Sequence, residues 1–70
     1  MTLAIGIEAR LTERQIEILR AYAETGSQKI TARRCGVASS TVRVTLQNIR
    51  SRLGVDTTVQ AVMIVFGEPV

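Results

Sequence analysis

The side chains best equipped to recognise another molecule lie between Ser39 and Leu53. Wound as a helix at about 100° per residue, this stretch places Val42, Leu46, Ile49 and Leu53 on one face. Ser40, Arg43, Val44, Gln47 and Ser51 then lie on the opposite face, with Asn48, Arg50 and Arg52 on the flanks. The outward set holds cations, amides, hydroxyls and one valine, and no acid. An ordinary solvated helix face mixes both signs of charge. The groups present here match the edges of nucleic-acid bases: arginine pairs with guanine, glutamine with adenine, and an aliphatic group meets the thymine methyl. Hydroxyls and cations beside them suit phosphate oxygens. The plainer alternative is a solvated face that happens to lack acids.

The wider charge pattern favours the first reading. The chain of 70 residues carries a formal net charge of +3. From Thr25 to Val55 the charged residues are Lys29, Arg33, Arg34, Arg43, Arg50 and Arg52, uninterrupted by any acid. The acids Glu8, Glu13, Glu17, Glu24, Asp56 and Glu68 all lie outside that stretch. A basic middle in an otherwise mixed chain suggests a surface that faces a polyanion.

Other chemistries find little support. The single cysteine, Cys35, cannot form an internal disulfide, and without histidine there is no zinc constellation. Cys35 closes an apolar stripe and reads as a core thiol. The lack of histidine removes the commonest general base, and so short a chain leaves little room for a substrate pocket. No enzyme activity and no cofactor or metal are expected. No apolar run is long enough to span a membrane, and the N-terminus lacks the basic start of a signal peptide. The reading is a cytoplasmic protein, nucleoid-associated when bound to DNA. A core this small is marginal alone, which makes dimerisation a reasonable expectation.

The positioning elements follow in order. Residues 1–10 carry Leu3, Ile5 and Ile7 at alternate positions, a weak strand pattern broken by Gly6, or else an extended arm. Thr12 and Gln15 have capping-box spacing, and Leu11 and Ile16 fit a hydrophobic staple, so a first helix starts there. Ile18, Leu19, Tyr22 and Ala23 form its expected inward face, and Gly26 its stop. Ser27 caps a second helix running to about Cys35, with small Ala32 suited to close helix approach. Gly36-Val37-Ala38 is a tight connection, and Ser39 is the expected cap of the helix described above. Two short helices joined by a three-residue, glycine-containing turn form a helix-turn-helix, whose second helix enters the major groove. Gly54 ends that helix. Thr57 and Gln60 repeat the capping-box spacing, opening a fourth helix that stops near Gly67-Glu68-Pro69. It is apolar all round, so one side must meet the core and the other a partner. Val59, Val62, Met63 and Phe66 make one side; Ala61, Ile64 and Val65 make the other and are the expected dimer interface. The whole is an all-α, four-helix domain over residues 11–70, preceded by an arm at 1–10.

Leu11-Thr12-Glu13-Arg14, Thr41-Val42-Arg43-Val44, Ile49, Arg52-Leu53-Gly54-Val55 and Ala61-Val62 together resemble the LuxR/GerE-type helix-turn-helix domain. The likeness runs from Leu11 to about Val65. It implies four helices, the third in the major groove of double-stranded DNA and the fourth paired across a two-fold axis in a homodimer. It makes Arg43, Val44 and Gln47 the base-reading positions and gives Thr41 and Arg52 to the phosphate backbone. Lys29, Ser39, Ser40, Asn48 and Arg50 complete the expected phosphate-binding set. The chain departs from the family pattern at Gln15 in place of Glu, Thr31 in place of an apolar residue, Ala38 in place of a Ser cap, Thr45 in place of His and Thr58 in place of Arg. With Thr31 polar, the second helix is expected to lean on Ile30 instead. Only about ten residues precede the domain, so it resembles a stand-alone, GerE-like short regulator; a fragment of a longer protein is the alternative. RNA polymerase or a second regulator are further candidate partners. The rival function is a protein-interaction module that modulates another regulator through the fourth helix.

Overall fold

Leu11 is buried, and the chain turns into its first helix immediately after it. The computed structural model describes residues 11–67, which form four helices: α1 Glu13–Thr25, α2 Gln28–Cys35, α3 Ser39–Leu53 and α4 Thr58–Phe66. The strand-or-arm expectation for residues 1–10 lies outside the described residues. At the head of α1 the Gln15 N–H donates to Thr12 Oγ1 at 3.0 Å, and the Thr12 N–H donates to Gln15 Oε1 at 2.9 Å. The same reciprocal arrangement joins Thr57 and Gln60 at the head of α4. Each satisfies two donors that a helix start otherwise leaves without partners.

Ile18 and Leu19 of α1, Ala32 of α2, Val42, Leu46 and Ile49 of α3, and Ala61 and Val65 of α4 share one buried cluster. Full burial of each larger aliphatic side chain favours folding by about 1.5–3 kcal/mol. The stripe expected on α3 is therefore the one the fold uses, with Leu53 packed partly against the cluster. Side chains tie the periphery. Arg14 donates through Nη2 to the Cys35 carbonyl at 3.0 Å, joining the start of α1 to the end of α2. The Arg20 guanidinium sits 5.0 Å from the Phe66 ring centroid, holding the end of α4 against α1. Cys35 packs half-buried against the core, as expected of a core thiol.

Four expectations need correction. In α1 the inward small residue is Ala21; Ala23 is exposed. In α2, Thr31 is fully buried and Ile30 is 49% exposed, the reverse of the expected lean. Thr31 can be inside because its hydroxyl lies 2.9 Å from Thr25 Oγ1, so the buried polar atom has a partner. Ser39 is not the cap of α3: Ala38 takes that position with no side-chain bond, and its carbonyl accepts from the Thr41 and Val42 N–H groups. Burying Val42 fixes this register, which puts Ser39 inside the first turn. In α4, Ala61 and Val65 belong to the core at 0% and 6% exposure and are unavailable to a partner. Of the expected interface only Ile64 reaches the surface, at 36%. The outward residues are instead Val59 and Met63, 68% and 65% exposed. The smallest residue, Ala61, lets α4 approach the other helices closely, and a residue one turn on, Val65, must follow it inward.

Candidate nucleic-acid interface

α2 stops at Gly36, whose φ of 70° lies in the left-handed region that glycine alone enters without strain. The Val37 N–H returns to the Ala32 carbonyl at 2.9 Å, reversing the chain within three residues. α3 then starts at Ser39 and crosses the other helices with Val42, Leu46 and Ile49 facing inward. Because that stripe is buried, the opposite side is obliged to face solvent. Arg43, Val44 and Gln47 are all exposed there, and Ser40 and Ser51 extend the row in both directions.

The residues around this row divide into two groups. Ser39, Ser40 and Thr41 are exposed in the first turn, at a helix start with no side-chain cap. A helix start of this kind presents backbone N–H groups and a partial positive charge toward an anion. Lys29 is exposed in the first turn of α2. On the far flank, Asn48 and Arg52 line a polar recess of about 340 Å³ together with Ser51 and Gln15. Ser51 belongs to the outward face read from the spacing, whereas Gln15 is not among the expected contacts. Gln15 lies outside α3 altogether, and the only signal for it in the sequence is its part in the capping box, which points to a structural role. Its Oε1 is engaged by the Thr12 N–H, so the capping box does not use the Nε2 donor end of the amide.

Arg50 departs from the expected set. It is half-buried, and its Nη1 donates to Thr58 Oγ1 at 2.8 Å, so the guanidinium reaches toward α4. Elsewhere in the basic stretch, Arg34 pairs with Glu24 of α1 at 2.8 Å, which offsets its charge. Arg43 and Gln47 thus stand on an exposed, acid-free helix face, with hydroxyls at one end and an Asn–Arg recess at the other. Such a face can donate bidentate hydrogen bonds to planar acceptors and grip oxyanions on either side.

Two short helices, a three-residue turn and an outward polar face on the second helix define a helix-turn-helix domain. The sequence profile of the bacterial regulatory proteins of the luxR family (GerE) matches residues 9–65. The chain belongs to the LuxR family and is a regulatory DNA-binding domain of its helix-turn-helix type; such domains are not enzymes. Neither the curated proteins nor the solved structures contain a match to the chain. Among the described residues no helix is long and apolar enough to cross a membrane.

Proposed function

We propose that the protein is a cytoplasmic, sequence-specific transcription regulator that binds double-stranded DNA as a homodimer with α3 in the major groove. The observation that carries the reading is the exposed, acid-free row of Arg43, Val44 and Gln47 on the second helix of the helix-turn-helix. Arg43 and Gln47 are one turn apart and reach guanine and adenine edges; Val44 meets a thymine methyl. Ser39, Ser40, Thr41 and Lys29 grip phosphates on one side, and Asn48 and Arg52 on the other. The functional unit is residues 11–70.

Homodimerisation is supported by the apolar outer face of α4. Val59, Met63 and Ile64 are exposed on one helix of a small domain. A groove of about 320 Å³, walled by Tyr22 and Ala23 of α1, continues that face past Val62. A second copy covers such a face with the same residues in two-fold symmetry. Pairing through α4 sets two α3 helices about one helical turn of DNA apart, so half-sites lie on the order of 10 base pairs centre to centre. An interaction-only module would use the same α4 face but has no use for the α3 row.

The test is Arg43→Ala measured against a set of single-base operator variants. Loss of a bidentate pair relaxes discrimination at one base position per half-site by about 1–3 kcal/mol. An equal loss on every variant makes Arg43 a phosphate contact and overturns the placement of α3.

A further inference from the structure

Arg50 holds the corner between α3 and α4 twice. Its backbone carbonyl accepts from the Val55 N–H at 3.0 Å, closing the turn beyond Gly54. Its side chain crosses the same corner and donates from Nη1 to the hydroxyl of Thr58, the first residue of α4. Farther along α4 the most exposed apolar residues are Val59 and Met63. A single side chain therefore links the helix that carries the base-reading row to the helix that carries the exposed apolar face. We propose that Arg50 is a positioning residue: by fixing the angle between α3 and α4 it sets which half-site separation the dimer accepts. This rests on the dimeric DNA-binding reading above.

The physical case is one of direction and leverage. Leu46 and Ile49 of α3 share the core cluster with Ala61 and Val65 of α4. The hydrophobic effect is non-directional, whereas a hydrogen bond prefers angles above about 150° and weakens steeply below about 120°. Ser39, at the far end of α3, is eleven residues from Arg50, a lever of about 17 Å at the helical rise. A swing of about 10° at the corner moves that end by about 3 Å, close to the spacing of successive bases along a strand. Two protomers swing in opposite senses, so an error at the corner is doubled between half-sites.

The experiment uses the full chain and duplexes carrying two copies of its half-site at separations of about 8 to 12 base pairs, with a single half-site duplex alongside. Arg50→Ala, Arg50→Lys, Thr58→Val and the double variant Arg50→Ala/Thr58→Val are compared with the parent. Thr58→Val keeps the side-chain shape and removes the hydroxyl that accepts from Arg50, which guards against simple unfolding. Expected results are single half-site affinity within about twofold of the parent and an unchanged salt slope. The preference among separations flattens equally for Arg50→Ala and Thr58→Val, no further in the double variant, and returns in part with Arg50→Lys. A salt slope reduced by about one per half-site in Arg50→Ala alone makes Arg50 a phosphate contact and overturns the proposal. Selection as sharp in Arg50→Ala as in the parent overturns it too and leaves the dimer standing. A parent that prefers no separation overturns the dimeric reading, and the proposal with it.

Discussion

Thr31 has a hydroxyl at a position where helix packing asks only for a methyl, and its position in the core depends on Thr25. Thr25 Oγ1 also accepts from the Ser27 N–H and lies 3.2 Å from the Ser27 carbonyl as its donor. The two threonines are therefore unequal. Removing the hydroxyl of Thr31 leaves Thr25 with partners, and Thr31→Val is expected to cost less than about 1 kcal/mol. Thr25→Val leaves the buried Thr31 hydroxyl without its partner and is expected to cost about 1–3 kcal/mol. Urea denaturation of both variants checks the order, and equal costs contradict this reading of the network. At the DNA face the contrast is between reading and gripping. Arg52, on the rim of the polar recess, is expected to contact the backbone. Arg52→Ala should weaken all operator variants alike and make the salt slope shallower by about one per half-site. A change in base preference would move Arg52 into the reading set.

At the scale of elements, α4 shows which parts of the fold are legible in the sequence. Both capping boxes, the stop at Gly54 and the inward stripe of α3 are local patterns, and each is found where residue type and spacing predict it. The inward face of α4 is not local information. Ala61-Val62-Met63-Ile64-Val65-Phe66 is apolar all round, and the choice of face depends on how closely α4 can approach its neighbours. The Arg50–Thr58 bond is equally invisible, because it joins residues on different helices. Lys29, Ser39, Ser40, Thr41 and Asn48 occupy the exposed positions the sequence implied, while Gln15 joins the recess only through folding. The corrected face makes a sharp prediction. Met63→Glu is expected to weaken dimerisation and leave helicity intact. Val65→Glu buries an unpaired charge in the core and is expected to unfold the domain, a loss well above about 3 kcal/mol. Sedimentation paired with circular dichroism distinguishes them; a stable, helical Val65→Glu monomer contradicts the orientation of α4.

The described residues form a small domain whose acids lie away from α3. Acids lie along α1 at Glu13, Glu17 and Glu24 and near the start of α4 at Asp56, and the surface of α3 carries none. Glu17 and Glu24 are engaged by Arg14 and Arg34 in exposed pairs; such pairs contribute little to stability. They do keep these acids paired with neighbouring cations. A dimer that neutralises roughly six to ten phosphates should lose about 10³–10⁵-fold in affinity between 50 and 200 mM salt. Two copies of this domain are proposed to read a defined DNA sequence. The most direct test is selection of bound duplexes from a random pool by the full chain at fixed, moderate salt. Enrichment of a two-fold symmetric motif whose half-sites lie on the order of 10 base pairs apart is expected. A bound pool with the same sequence composition as the starting pool would contradict this reading.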